Sequence, residues 1–189
     1  LVGVRDLEAA RKTWQRLDAG RKLFDAGVPA EGSDLDSWIA VHADNTATLY
    51  FGRTEFGQGT VTGMLQIAAE ELELEMRQVS AAQLDTKVTR DQGRQVSSSS
   101  IEQAGPNLRA AAAEARQALL QLAAARLGAA ETELRAISGV VSVAGQPGRS
   151  VSYGDLIGDR RFNLKVTGKA PLKPRSEYKV VGTRVPRID

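Results

Sequence analysis

The sequence contains no cysteine. This excludes disulfides, thiolate nucleophiles, thiolate zinc sites and any iron–sulfur cluster ligated by this chain. A single histidine, His42, cannot supply a multi-histidine metal site. No apolar run approaches the roughly 18 residues needed for a membrane span, so none is expected. Charge of one sign is not in excess either, since 25 Lys and Arg stand against 23 Asp and Glu. What is there is a chain of 189 residues, 42% of them hydrophobic, with a mean hydropathy of -0.27. That suits one domain or two small ones and buries roughly 70% of the unfolded surface. Chemistry served by such a chain requires a cofactor, a carboxylate or another polypeptide.

Charge distribution says more than the total. From Arg160 onward nine Lys and Arg face only Glu177 and Asp189. A basic tail invites a nucleic-acid reading. It holds only Phe162 and Tyr178 for base stacking, however, so no nucleic-acid partner is expected. Upstream, Glu70, Glu71, Glu73 and Glu75 form an acidic run near a helix end, expected to face solvent.

Residues 1–28 read as a polar helix and Gly27–Ser33 as a linker. Runs 38–42 and 46–51 are rich in β-formers and flank a turn at 43–45, which reads as a hairpin with His42 at a strand end. Such a position suits a surface histidine better than a catalytic one. A helix follows from about Thr60 to Glu75, with Val61, Met64, Leu65, Ala68, Leu72 and Met76 at the spacing of one face. A short strand is expected over 77–82. An alanine-rich helix spans about Gln103 to Arg126, with Ser100 and Gln103 in capping-box spacing and Gly128 as its C-cap. Short strands at 133–137, 140–144 and 150–152 surround turns at 138–139 and 145–148. Ser152 then caps one helical turn, and the proline-bearing basic tail is expected to lie extended over another surface.

Two segments join a polar loop to a helix start. Gly57, Gln58 and Gly59 precede the first helix. Flanking glycines permit unusual dihedrals and close approach, and N–H groups at the helix start favour an anionic or electron-rich ligand. The same spacing also describes a strand-to-helix turn of no functional meaning. The second segment is Ser97–Ser100, where hydroxyls and helix amides suit phosphate, or simply cap the helix. One extended ligand bound across both is the reading that unites them. Glu55 is better placed to orient the glycine loop than to act as a base. No Gly-x-Gly-x-x-Gly, phosphate-loop or nucleophile-elbow motif is present.

The run from Asp36 to Thr60, with Gln66–Leu72, Ser98–Ser100, Gly105–Arg116, Ser152–Leu156, Ala170–Lys173 and Tyr178–Gly182, resembles the molybdenum hydroxylases. This is the xanthine dehydrogenase and aldehyde oxidase family, and the likeness is to the opening segment of large subunits of the isoquinoline 1-oxidoreductase type. It covers about residues 34–189. The resemblance implies a molybdopterin-binding unit in which Gly57, Gln58 and Gly59 approach the pyranopterin, with Ser98 and Ser100 against the cofactor. It implies molybdenum, a cofactor in the cytosine dinucleotide form, and hydroxylation of aldehydes or N-heterocycles with oxygen from water. Iron–sulfur clusters would then sit on a partner chain. Relatives commonly carry glycine where Ser97 stands, and the family's catalytic glutamate belongs to a region beyond those matched here.

The sequence therefore predicts an α+β fold: a small mixed sheet with two long packed helices, an N-terminal helix and an extended C-terminal tail. Residues 1–33 form an appendage, 34–160 the molybdopterin-binding segment and 161–189 a tail leading to a further domain. A chain that opens at Leu1 is expected to be one part of a large subunit, inactive alone. Its partners would be the rest of that subunit, an iron–sulfur subunit and a small-molecule substrate, in the cytoplasm or the periplasm. A non-catalytic ligand-binding or subunit-assembly module is the alternative.

Overall fold

The computed structural model describes residues 34–187 apart from 88, 93–97 and 99. The helix expected over 1–28, the linker that follows it, and Ser97 and Ser99 lie outside the described residues.

Strands β1 (Ile39–Val41) and β2 (Ala47–Leu49) form the expected hairpin, in register Ile39 to Leu49 and Val41 to Ala47. Asn45 closes the turn at φ 64°, in the left-handed region that asparagine tolerates. β2 pairs in parallel with β3 (Val79–Ala81), completing a mixed sheet of order β1-β2-β3. A parallel pair needs a crossover, and helix α1 (Thr60–Leu72) supplies it. Its Met64, Leu65, Ala68 and Leu72 are buried in the core with Ile39, Leu49 and Phe51. The helix stops three residues before the expected Glu75, so Met76, expected on its face, opens a separate 3-10 turn instead. Glu73 turns left-handed at φ 53° and directs its N–H to the carbonyls of Ala69 and Glu70.

Helix α2 (Gly105–Leu127) is entered through a π-helical turn, Ser100–Ala104, and ends at Gly128 with φ 59°. Leu108, Ala111, Ala112, Ala115 and Leu119 form its buried stripe. Small side chains let it approach α1 closely. A β-carbon added at Gly63 would lie 3.2 Å from Ile101 Cδ1, and one at Gly105 would lie 3.4 Å from Ile67 Cδ1. One turn further on, Arg109 Nε donates to Glu71 Oε1 at 2.7 Å. These contacts climb both helices together. The helices therefore run parallel and begin at the same end.

A second sheet, antiparallel and of order β4-β5-β6, comprises β4 (Leu134–Ile137), β5 (Val140–Val143) and β6 (Gln146–Ser152). The turn expected at 145–148 is shorter than its composition suggests, because Pro147 and Gly148 belong to β6. That strand is an edge, where a proline without an N–H breaks no necessary ladder bond. Ser152 Oγ accepts the Asp155 N–H at 3.0 Å and caps α3 (Tyr153–Leu156), as expected. The buried Tyr153 hydroxyl donates to Leu72 O at 3.0 Å and ties this sheet to the end of α1. Burial pushes that phenol far above its ordinary pKa. Residues beyond Arg160 run extended across the two helices, interrupted by a 3-10 turn at Arg175–Glu177.

Candidate functional site

The glycine loop stands at the start of α1. Gly57 and Gly59 have φ of 87° and 76°, conformations that β-carbons disfavour. Between them Gln58 is exposed, and its amide braces the loop: Oε1 accepts Phe56 N–H at 2.6 Å and Nε2 donates to Thr54 O at 3.2 Å. A primary amide has two N–H groups, so this leaves Gln58 with a second donor to offer. Arg187 donates to Gly57 O and lays its guanidinium alongside Gly59.

Glu55 orients the loop, as the sequence suggests, by accepting Gly59 N–H and Val61 N–H, both at 2.9 Å. This corrects one expectation from the sequence. Two amides at the helix start that seemed open to an anion are taken by the chain's own carboxylate. A ligand at this loop meets Gln58 and Arg187 instead.

Of the serine segment, Ser98 and Ser100 are described, and Ser100 opens the turn at the matching end of α2. Ser98 is exposed with φ 57°, whereas Ser100 is buried within the π-helical turn. Helical winding thus begins at Ser100 rather than at Gln103. Gln103 turns its Oε1 toward Arg53 Nη2 at 3.3 Å. Arg53 is buried, and its Nε donates to Gln92 O at 3.1 Å. One guanidinium therefore joins the glycine loop, the segment at 90–92 and the turn that starts α2. Gly52 lets the second of these approach: a β-carbon there would stand 2.0 Å from Arg90 O. Sequence reasoning missed Arg53. The only available signal was its position at the mouth of the glycine loop.

The acidic run is not a solvated face. Glu70 and Glu71 are 2% and 1% exposed. Glu70 pairs with Lys173 Nζ at 2.6 Å and accepts the N–H groups of Lys179, Val180 and Val181 on Oε2 at 2.9, 2.6 and 2.9 Å. Glu71 binds Arg109, Arg116 and the Lys173 N–H. Burial acts to raise the Glu70 pKa, but Lys173 and the three amides outweigh it and hold the carboxyl below its ordinary value. Burial likewise acts to lower the Lys173 pKa, and Glu70 and Glu73 reverse the sign, so it is raised. Glu114 gathers Thr167 and Lys169 in the same way. The basic tail is thus strapped to its own domain.

His42 is held by Asp159 at 3.0 Å through Nδ1 and by Thr48 at 2.8 Å through Nε2, in keeping with a structural role. Among the described residues, no group of three or more His, Asp or Glu could hold a metal ion, and no helix is long and apolar enough to cross a membrane.

A family model described as a molybdopterin cofactor-binding domain matches residues 7–185. A nicotinate dehydrogenase subunit of Pseudomonas putida is 36% identical over 156 residues, which are 82% of this chain and 13% of that protein. Among solved structures, quinoline 2-oxidoreductase from Pseudomonas putida 86 matches with a TM-score of 0.52 and 28% identity, over 62% of this chain and 15% of that one. Reconstituted CO dehydrogenase from Oligotropha carboxidovorans matches over the same shares with a TM-score of 0.54 and 24% identity, a likeness of fold. The chain thus spans a small part of the length of its relatives.

Proposed function

From the premise that this chain belongs to the molybdopterin cofactor-binding domain family of the molybdenum hydroxylases, we propose that its glycine and serine loops form one wall of the cofactor site. The observation that carries this reading is the parallel pairing of α1 and α2. With both helices starting at the same end, Gln58 precedes one helix and Ser98 and Ser100 the other, and Arg53 bonds to Gln92 and to Gln103 of the turn that opens α2. The donor set suits a bulky, negatively charged pterin. Positive-φ glycines keep the loop surface low, Gln58 offers an amide donor and Arg187 a fixed cation.

In this reading Gly57, Gln58 and Gly59 bear on the pterin, Ser98 supplies a hydroxyl, and Ser100, being buried, shapes the turn from within. Bound cofactor would supply a redox-active molybdenum centre, and the protein provides placement and electrostatics. The cofactor is taken to be the cytosine dinucleotide form. The reaction would be hydroxylation of an aldehyde or N-heterocycle with water-derived oxygen, and electrons would leave through iron–sulfur clusters on a partner chain. Those clusters cannot be ligated by cysteines of this chain, because it has none.

The test is to place Gln58→Ala with Ser98→Ala in the complete large subunit, co-expressed with its iron–sulfur partner. Molybdenum content and released pterin are then measured beside hydroxylase activity. Cofactor content should fall severalfold while the thermal midpoint of the apoprotein stays unchanged. Unaltered cofactor content and activity would refute the assignment.

A further inference from the structure

The tail returns along α1 in reverse, and its contacts step down that helix in order. Near the helix end, Glu70 accepts the N–H groups of Lys179, Val180 and Val181. One turn earlier, Gln66 Nε2 donates to Val180 O at 3.0 Å and to Thr183 O at 3.1 Å. At the helix start, Arg187 donates to Gly57 O and lies beside Gly59. A primary amide has two N–H groups, and Gln66 commits both to this one stretch of tail.

Between those anchors the chain is shaped for one path. Thr183 N–H donates to Val180 O at 3.1 Å and closes a turn whose third residue, Gly182, has φ 88°. Gln66 bonds to the carbonyls at both ends of that turn. Pro186 then restricts Val185 to extended backbone. From Gln66 back to Gly59 the helix rises about 10 Å. The residues from Thr183 to Arg187 reach at most about 14 Å when extended. The two lengths match, so the turn held by Gln66 decides where the Arg187 guanidinium falls. Arg187 is exposed and sits against the loop that faces an anionic cofactor in the reading above.

We propose that Gln66 is a positioning residue of the cofactor site: it holds the Val180–Thr183 turn so that Arg187 is presented, at the glycine loop, to an anionic group of the cofactor. This rests on the reading of that loop as one wall of the cofactor site. Gln66 acts only through Arg187, and it is the register of the tail on α1 that carries the effect.

The test uses the complete large subunit co-expressed with its iron–sulfur partner. It reads molybdenum and pterin retained after dialysis, and amide exchange at residues 57–59 in the cofactor-free protein. Arg187→Met should lower retained cofactor about tenfold, the worth of one charge-assisted hydrogen bond, and Arg187→Lys should lower it less. Gln66→Leu should lower it by a similar factor and speed exchange at 57–59. Gly182→Ala, which strains the turn but puts its methyl in open space, should have the same effect by a separate route. Gln66→Leu combined with Arg187→Met should lose no more than Arg187→Met alone. A purely structural role would instead make the two losses multiply. Multiplying losses, full retention in Gln66→Leu, or unaltered exchange at 57–59 would each overturn the proposal. Gln58→Ala with Ser98→Ala, run alongside, separates the two ideas. If that variant loses cofactor while Arg187→Met keeps it, the loop reading stands and the role of Gln66 falls. If no variant loses cofactor, both fall together.

Discussion

Glu70 and Lys173 form a 2.6 Å ion pair between side chains 2% and 3% exposed, although 103 positions separate them in sequence. An ion pair so enclosed is stabilising only where the remaining lone pairs and protons are also satisfied. Three consecutive amides, at Lys179, Val180 and Val181, meet that condition on the carboxylate side. Glu73 meets it at 2.9 Å on the ammonium side.

Removing one partner of this pair should be costly. Lys173→Met leaves Glu70 with the amides but without its counter-charge, and about 3–5 kcal/mol should be lost. Glu70→Gln should cost a similar amount, and the double variant less than the sum. Urea denaturation of the four proteins in a cycle measures the coupling. A coupling near zero would show that the amides alone hold the tail.

The same carboxylate makes the strap sensitive to acid. Its pKa is lowered on folding, so its contribution is fully present above the unfolded value and disappears as pH falls through the folded one. Glu114, also lowered, adds to this in the same direction. Thermal midpoints should therefore decline as pH drops below about 4.5, the ordinary glutamate range. Amide exchange at 179–181 should accelerate over the same interval. Glu70→Gln should flatten part of the decline. Lys173 acts at the other extreme: its raised pKa places its loss of stabilisation above its ordinary value, in strong alkali.

Arg53 should behave as a positioning residue for the loop pair. Arg53→Lys keeps the charge but cannot reach both Gln92 O and Gln103 Oε1 with a planar fork. It should lower cofactor content in the complete large subunit and speed amide exchange in residues 90–92 and 100–104. Arg53→Ala should do more of both and lower the thermal midpoint. Faster exchange without any change in cofactor content would confine Arg53 to a structural role.

Gly52→Ala offers a test by steric means. The added methyl would stand 2.0 Å from Arg90 O, a backbone atom that yields only if the segment moves. A loss of about 1–3 kcal/mol is expected for such overpacking. Gly148→Ala, with nothing within 4 Å, serves as the control and should change stability little. Equal midpoints for the two variants would contradict the packing described.

Local features were legible in the sequence wherever cause and effect lie a few residues apart. Gly128 as a C-cap, Ser152 as an N-cap, the hairpin at 43–45 and most of the buried stripe of α1 follow from spacing and backbone chemistry. Glu55 was also readable as the residue that orients the glycine loop. The acidic run was misread because its partners lie on other elements, 38 and 45 residues on for the arginines that hold Glu71 and 103 or more for those that hold Glu70, where pattern within a helix carries no information. One signal was present: an unbalanced acidic cluster upstream and an unbalanced basic excess downstream. Pro147 and Gly148 were read as turn because composition does not reveal that β6 is an edge. The buried atoms of Trp38, Arg90 and Gln92 that are unpartnered among the described residues had no signature at all, since burial without a partner exists only in three dimensions.

The strap also sets where this unit can be divided. Cutting the polypeptide at the end of α3 would spare every long helix and both sheets. It would nonetheless strip Glu70 of its lysine and three main-chain donors, and Glu71 of a fourth, leaving a bare negative charge inside apolar surroundings. The smallest portable module therefore reaches past Val181, and its limit is drawn by electrostatics rather than by secondary structure.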